Sequence, residues 1–422
     1  MKILLLTQYY PPEKGAAPLR LYQMVTALRQ RGHVLTVVTA FPNHLADRIF
    51  PGYRGRFFRR EKDEAGVEII RTWIVAARRG RKWQRILTYL SFMVSSLFGI
   101  WRAGPQDVLI VESPPLFLGL TARLATIRRR TPFVLNVADL WLDSAVEFGF
   151  LRNHRLIQFC RVLEKHLYRQ AFRVSAQTQG LVKALLAREV SEAKIIFLPN
   201  GVDTTLFRPR PPDAELRQEL SLGEAFVVLY AGTMGYAHGL ETVLQAARLL
   251  EERPDIVFLL VGDGAERPRL ERKAIEMGLA NVRFIDFQPP ERLVRFYALA
   301  ALTLSTLRRC ELAAGVRPFK MFSALASGRP LLYAGTGEGA EIAERSGGSV
   351  VLEPENPKAL AEAILELQAD PDLCARMAER GREFVVQEFS WPIILERWAG
   401  QLESELESEL AKKGSELGKE QG

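Results

Sequence analysis

Short apolar runs and longer amphipathic segments alternate along the first half of the chain. The runs that predict buried strands are residues 3–6, 34–38, 108–111, 133–137, 174–176 and 195–198. Between the first two runs, segment 19–28 places its apolar residues on one helical face, and Gly32 follows as a stop signal. This alternation predicts a parallel sheet with crossover helices.

The same pattern starts again after Pro209, Pro211 and Pro212. Here the predicted strands are 226–230, 256–261, 282–285, 302–305 and 331–333, and the clearest helix is 240–250. We therefore predict an α/β protein with one doubly wound unit on each side of a linker at 203–215. The predicted domains are 1–205, 206–384 and a charged, low-complexity tail at 401–422, which we expect to be a frayed helix or disordered.

The amino-acid composition does not alter the predicted α/β fold. The chain has 422 residues, of which 48% are hydrophobic and 25% charged, and this excludes a disordered, collagen-like or polytopic membrane protein. Its three cysteines are far apart and form no CxxC pair, so we expect neither a disulfide framework nor a structural zinc site.

Charge is distributed unevenly between the two halves. Residues 1–210 contain 33 Lys and Arg against 15 Asp and Glu, whereas residues 211–422 contain 24 against 34. A basic half beside an acidic half indicates that the basic half faces something anionic.

One uncharged stretch, residues 86–101, interrupts the alternation. It is shorter than the roughly 20 apolar residues of a membrane span. Three interpretations stay open: a buried crossover helix, a helix partly exposed to a membrane interface, or a true membrane span. In the second case the preceding cations would face lipid head groups; they are Arg78, Arg79, Arg81, Lys82 and Arg85.

Several common motifs are missing. The chain has no GxGxxG after its first strand, no GxxxxGK[ST] and no HExxH. These absences count against dinucleotide oxidoreductases, P-loop enzymes and zinc proteases.

Two loops have the composition of a ligand cradle at the carboxyl edge of a sheet. In the loop from Tyr9 to Arg20, Gly15 would let an acceptor or a phosphate approach closely. Gly232 and Gly235 belong to a second loop, which leads into helix 240–250 and would cradle a diphosphate. Each loop on its own is also compatible with an ordinary turn.

Two further segments carry charged side chains at the start of a predicted helix. Arg317 and Lys320 precede helix 321–327, where two cations suit a diphosphate, although two solvated cations are the simpler alternative. Asp139 and Asp143 follow strand 133–137 and are candidate general bases or helix N-caps.

Seven segments occur in a characteristic order: PPEKGA, RGHVLTVVTA, DLWLDS, LPNGVDTTLFRP, YAGTMGYAHGLETVLQAA, VGDGAE and PFKMFSALASGRP. With them, residues 1 to about 400 resemble family 4 retaining glycosyltransferases of the GT-B fold. Within that family the chain is most similar to the colanic acid and O-antigen transferases.

The resemblance implies two Rossmann-like doubly wound domains that face a cleft, with the acceptor bound by the N-terminal domain and the nucleotide sugar by the C-terminal one. It implies no metal and no cofactor. A C-terminal helix, here 385–400, would pack back on the N-terminal domain.

The resemblance also suggests a role for each candidate residue. Asp139 would be catalytic. Donor-binding residues would be Gly232, Gly235, His238, Arg317, Lys320 and Glu338. Acceptor-binding residues would be Glu13, Gly15 and Asp143. The chain departs from the family where an Arg and a Lys that hold donor phosphates become Thr233 and His238, so the phosphate role passes to Lys320 with Arg317.

These observations lead to one hypothesis. The protein would move a hexose or N-acetylhexosamine from a UDP-sugar to a polyprenyl-diphosphate-linked acceptor in cell-surface polysaccharide biosynthesis. It would be cytoplasmic and peripheral on the inner face of the cell membrane, attached to its anionic surface, with no nucleic-acid partner. The alternatives are a UDP-N-acetylhexosamine 2-epimerase of the same fold and a non-enzymatic nucleic-acid-binding protein.

Overall fold

The computed structural model describes residues 1–13, 16–43, 48–63, 66–76, 82–127, 131–147, 151–309 and 317–420. Internal contacts divide the chain into two compact units. The N-terminal unit comprises residues 1–199 together with 394–422, and the C-terminal unit comprises residues 200–393. The division thus falls at Asn200, a few residues before the boundary at 205 that the sequence predicts.

An eight-stranded sheet forms the centre of the N-terminal unit, in the order β3-β4-β2-β1-β5-β6-β7-β8. Its strands are β1 (Lys2–Leu6), β2 (Val34–Ala40), β3 (Phe58–Lys62), β4 (Glu68–Thr72), β5 (Val108–Ser113), β6 (Phe133–Val137), β7 (Arg173–Ala176) and β8 (Ile195–Phe197). Its helices are α1 (Ala16–Gln30), α2 (Lys82–Ala103), α3 (Phe117–Ile127), α4 (Trp141–Glu147), α5 (His154–Gln170) and α6 (Gln179–Ala187), and a 3₁₀ turn spans Glu192–Lys194.

Neighbouring strands of this sheet are parallel except for the edge pair β3–β4, which is antiparallel. The apolar runs of the sequence do not predict this pair. Strand β3 reads FRREK and is only partly buried, so its charged residues conceal the apolar run that marked the other strands. The turn between the two strands is closed by Asp63, whose Oδ1 accepts a hydrogen bond from the Val67 amide at 2.8 Å.

Helix α2 contains the uncharged stretch 86–101 and packs on the sheet with one face only. Phe92 and Ser96 are buried, and a Cβ at Gly99 would lie 2.7 Å from Val38 Cγ1. Among the described residues, the 18-residue window from Ile86 is the one stretch long and apolar enough to cross a membrane, and 39% of it is buried inside the protein. The helix is therefore part core and part exposed apolar surface.

A six-stranded parallel sheet forms the centre of the C-terminal unit, in the order β11-β10-β9-β12-β13-β14. Its strands are β9 (Phe226–Ala231), β10 (Ile256–Val261), β11 (Val282–Ile285), β12 (Leu302–Thr306), β13 (Leu331–Ala334) and β14 (Ser349–Leu352). The helices are α7 (Ala214–Glu219), α8 (Glu241–Leu249), α9 (Arg267–Glu276), α10 (Pro290–Leu299), α11 (Phe319–Ala326), α12 (Glu338–Arg345), α13 (Pro357–Ala369) and α14 (Pro371–Phe389).

This strand order is that of a doubly wound sheet, because the first strand of the unit, β9, lies at the centre and the chain winds outward in both directions. The direction of winding reverses between β9 and β12. Ligands of such sheets bind at the carboxyl ends of the strands that flank the reversal. A ligand site is therefore expected at the loops after β9 and β12.

The last helix, α15 (Trp391–Glu420), joins the N-terminal unit from Ile394 onward. Trp398 is fully buried there, and its Nε1 donates a hydrogen bond to Ser175 Oγ at 3.2 Å. The expectation of a frayed or disordered tail at 401–422 is wrong for its first part, because Leu402 and Leu406 are buried on the same face of the helix. Their spacing of four residues gives the charged QLESELESEL run an apolar stripe.

Candidate active site

The glycine-rich loop after β9 lies directly against helix α11. A Cβ added at Gly232 would approach Lys320 Cε to 2.8 Å, so a larger residue there would displace the end of the lysine side chain. Gly235 lies in the same loop, before a 3₁₀ turn that spans Tyr236–His238. The structure thus brings three residues of the predicted donor site together: Gly232, His238 and Lys320.

The loop after β10, with the sequence Gly262-Asp263-Gly264, supports this glycine loop from the other side. The Met234 amide donates to the Asp263 carbonyl at 2.8 Å. A Cβ at Gly264 would lie 2.4 Å from the Met234 carbonyl oxygen, so a larger residue would push the two loops apart. The VGDG segment thus holds the loop after β9 in place, a role that its sequence does not indicate.

Lys320 is half-buried, in the first turn of α11. Its Nζ lies 4.7 Å from the centre of the buried Tyr230 ring and 3.2 Å from His238 Nδ1. Among the described residues, no carboxylate forms an ion pair with it. Removal of water from the amine lowers the pKa of Lys320 to about 7.

His238 is held by its backbone as well as by its ring. Thr306 Oγ1, at the end of β12, donates to the His238 carbonyl at 2.6 Å. Burial and the nearby charge of Lys320 lower the pKa of His238 to about 3. The imidazole is therefore neutral at physiological pH, and Nδ1 can accept a hydrogen bond from the lysine.

Arg317 and Glu338 form a second pair on the donor side. Both side chains are buried, and Arg317 Nε donates to Glu338 Oε1 at 2.8 Å. Glu338 is the first residue of α12, where the helix dipole favours a carboxylate. The pairing compensates the charge of Arg317, so Lys320 remains the less compensated of the two predicted phosphate cations.

Two contacts near this loop were missed by sequence reasoning. Arg308 follows β12 and stacks on the exposed ring of Tyr236, with Cζ 3.9 Å from the ring centre. Its amide donates to the Ala237 carbonyl at 2.9 Å. The sequence signal for these contacts is a basic residue two positions past the end of β12, at the sheet reversal.

On the N-terminal unit, Glu13 lies in the loop after β1 and is 5% exposed. One of its carboxylate oxygens accepts a hydrogen bond from the Asn43 amide at 2.8 Å. Gly15, the other acceptor residue predicted in this loop, lies outside the described residues. Arg71, buried at the end of β4, donates to the Pro11 carbonyl and to Glu61 and so fixes the path of the loop.

Asp139 and Asp143 follow β6 but occupy different surroundings. Asp139 is exposed in the loop before α4. Asp143 is half-buried within α4 and forms an ion pair with Arg188, beside a cavity of about 330 Å³ that Glu164 and Tyr168 also line. Asp139 is thus accessible to a substrate, and Asp143 is held in an ion pair with Arg188.

A buried polar cluster lies behind these loops. Glu112 on β5 forms an ion pair with Arg20 on α1 and accepts a hydrogen bond from Asn136 Nδ2 on β6 at 2.6 Å. All three side chains are less than a tenth exposed. The cluster links the first helix to the strand that precedes Asp139.

Most of the predicted membrane-facing cations are not among the residues that the structure describes. Arg78, Arg79 and Arg81 lie outside the described residues, and Lys82 and Arg85 are placed only as residues of α2.

An exposed apolar surface is nevertheless evident nearby. It consists of Phe57, Ile86, Leu90, Val94 and Trp101, each at least 38% exposed. We refer to these five residues as the α2 stripe. Arg102 lies next to it, with its guanidinium over the rings of Phe58 and Trp101.

Comparisons with known families agree with this architecture. Residues 15–201 match the family described as "Glycosyl transferase 4-like domain", and residues 213–384 match "Glycosyl transferases group 1". The two matches follow the two structural units and together span most of the chain.

Two curated relatives show how far the likeness extends. The chain is 27% identical over 406 residues to the putative colanic acid biosynthesis glycosyl transferase WcaI of Escherichia coli, covering 92% of this chain and 98% of the relative. It is 28% identical over 212 residues to a GDP-mannose-dependent alpha-(1-6)-phosphatidylinositol monomannoside mannosyltransferase of Mycobacterium tuberculosis, covering 49% of this chain and 55% of that one.

Among solved structures, Anabaena Alr3699/HepE in complex with UDP superposes with a TM-score of 0.71 at 21% identity, covering 96% of this chain and all of the other. This likeness shows the fold. Together with the two family matches, it confirms the two Rossmann-like α/β units that the sequence predicts. The chain belongs to the family 4 glycosyltransferases of the GT-B fold.

Proposed function

We propose that this glycosyltransferase moves a hexose or N-acetylhexosamine from a UDP-sugar to a polyprenyl-diphosphate-linked acceptor, with retention of the anomeric configuration. The observation that carries the donor half is Lys320, a half-buried amine without an acidic partner among the described residues, set against a glycine loop at the sheet reversal. Such an amine is suited to a diphosphate, which supplies the missing negative charge.

Departure of the nucleoside diphosphate is the step that this geometry would assist. Negative charge develops on the β-phosphate oxygen as the bond to the sugar breaks. The Lys320 ammonium, the amides of the glycine loop and the N-terminus of α8 would each stabilise that charge. These groups are held in place before the substrate arrives, which is the condition for efficient electrostatic catalysis.

The acceptor hydroxyl must lose a proton when it attacks. We assign its removal to Asp139, since this carboxylate is exposed at the carboxyl end of β6. Glu13 lies in the loop after β1 of the same unit and is the proposed acceptor-binding residue. Asp143 is less suited to bind the acceptor, because its ion pair with Arg188 would have to break first.

We also propose that the acceptor is bound at a membrane surface. A polyprenyl-linked substrate is anchored in a bilayer, and the basic N-terminal half with the α2 stripe offers both charge and apolar surface to an anionic leaflet. We place the protein on the cytoplasmic face of the cell membrane as a peripheral protein. The relative that acts on a phosphatidylinositol mannoside is by name an enzyme with a lipid-linked acceptor, and it supports this class of substrate.

The experiment that tests the donor is a binding screen of the purified protein across UDP-, GDP- and dTDP-sugars. We expect a UDP-sugar to bind most tightly. A preference for GDP-mannose would move the proposal toward the mannosyltransferase relative. Absence of binding by every sugar nucleotide would refute the donor assignment.

A further inference from the structure

Lys320 and His238 form an unusual pair for a site that is expected to bind an anion. The pair consists of an amine and an imidazole 3.2 Å apart, with an aromatic ring beneath the amine and no carboxylate within ion-pair distance among the described residues. A lone ammonium in partly dehydrated surroundings is costly. The amine therefore has a reason to release its proton until an anion arrives.

The groups that face Lys320 do not change this argument. From β9, the Tyr230 ring lies below the amine, and burial raises the pKa of its phenol, so it stays neutral. From the loop after β9 comes neutral His238. On the segment that leads into α11, Arg317 is compensated by Glu338. Beyond β12, the guanidinium of Arg308 is stacked on Tyr236.

We propose that sugar-nucleotide binding is coupled to the uptake of one proton by Lys320, and that His238 is the positioning residue that holds the amine ready to receive it. This inference rests on the proposed function. The proton comes from solvent, bonds to the lone pair of Lys320 Nζ, and gives an ammonium that faces the donor diphosphate. His238 keeps its own protonation state and accepts one hydrogen bond through Nδ1.

The direction of the pH dependence follows. The protonated amine binds the diphosphate, so affinity is highest below the pKa of free Lys320, about 7, and falls as the pH rises above it. At about pH 8 the free amine is mostly neutral, and binding should take up close to one proton per site. At about pH 6 the amine is already charged, and uptake should approach zero.

Calorimetric titration in buffers of different ionisation enthalpy measures this uptake directly. UDP-glucose is the probe, with GDP-mannose as a second arm, because the diphosphate of a sugar nucleotide is a diester without a proton that titrates near neutral pH. We expect the observed enthalpy to depend on the buffer at pH 8 and not at pH 6. Equal enthalpies in all buffers at pH 8, with binding intact, would overturn the inference.

Substitutions distinguish the role of Lys320 from that of His238. Lys320→Gln should still fold, since it replaces a partly dehydrated amine by a neutral amide, and should abolish the buffer dependence. The matched control is Lys358→Gln, whose side chain is 81% exposed on α13, and it should behave as wild type. If Lys320→Gln retains the proton uptake, another group carries the proton and the assignment is wrong.

His238 is tested by a conservative pair. His238→Asn can offer Oδ1 as an acceptor in place of Nδ1 and should keep the wild-type pH profile of affinity. His238→Leu removes the acceptor, so the fall in affinity should move to lower pH by about one unit, as expected for one hydrogen bond to a charged group. An unshifted profile in His238→Leu would remove the positioning role.

The two proposals fail differently. If neither UDP-glucose nor GDP-mannose binds wild type, the proposed function fails. If either binds without proton uptake at pH 8, the proposed function stands and the coupling fails.

Discussion

The Nζ atom of Lys320 lies 3.2 Å from Nδ1 of His238, although the two residues are 82 positions apart in the chain. The contact joins the first turn of α11 to the loop after β9, the central strand of the C-terminal sheet. It forms at the reversal of strand order, where doubly wound sheets bind their ligands. The amine is thereby fixed beside the glycines that would admit a diphosphate.

Lys320→Gln should weaken sugar-nucleotide binding by at least about 2 kcal/mol, or roughly 30-fold, because a charge-assisted contact with the diphosphate is lost. The dissociation constant, measured by titration at a pH below 7, checks this. Lys358→Gln should leave it unchanged. Wild-type affinity in Lys320→Gln would exclude Lys320 from the donor site.

Asp139→Asn should lower turnover while fold and donor affinity persist, because the exposed carboxylate lies on the N-terminal unit and contributes to the acceptor reaction only. Steady-state kinetics with a lipid-linked acceptor gives kcat, and nucleotide titration gives donor affinity. Asp143→Asn is the companion variant: loss of its ion pair with Arg188 should affect stability more than kcat. An unchanged kcat in Asp139→Asn would mean that the proton goes elsewhere.

Arg20→Met should destabilise the N-terminal unit, since it leaves the buried Glu112 without its cation. Breaking such a pair costs about 3–5 kcal/mol, which corresponds to a fall in the melting midpoint of about 10 °C. A thermal scan followed by circular dichroism measures it. Adding Glu112→Leu should recover much of the loss, because no uncompensated charge then remains. A midpoint within 2 °C or so of wild type in Arg20→Met would show that the pair contributes little.

Replacing Val94 and Trp101 by serine should weaken co-sedimentation with anionic liposomes, because both side chains are 62% exposed on the α2 stripe. Binding of the wild type should also weaken as salt rises. Ile275→Ser is the matched control, since Ile275 is 79% exposed on α9 of the C-terminal unit. If the wild-type protein does not bind anionic liposomes at low salt, the peripheral-membrane proposal fails.

Much of the fold follows from apolar periodicity, and the exceptions have physical reasons. Buried runs such as 133–137 and 256–261 became strands as predicted, because parallel strands covered on both faces are continuously apolar. Strand β3 was missed because an edge strand keeps its charged residues in water. Helix α15 extends past 401 because Leu402 and Leu406 find a buried surface that local composition does not reveal.

For the candidate site, the sequence indicated which residues belong to it but not which of them contact one another. Lys320, Gly232 and His238 were each selected from a motif, but their mutual contact depends on the 3₁₀ turn at Tyr236–His238. Likewise, nothing local to Asp143 indicates that Arg188, 45 residues later, neutralises it. Such pairings are tertiary, so they emerge only when the strands are assembled.

The most direct test of the central claim is a transfer reaction followed by NMR of the product. The wild-type protein would be incubated with the UDP-sugar that binds most tightly in the screen and with a polyprenyl-diphosphate-linked sugar in anionic vesicles. The account predicts a lengthened lipid-linked product whose new linkage has the same anomeric configuration as the donor. A product of inverted configuration, or a donor that is bound but never transferred to the lipid-linked acceptor, would contradict it.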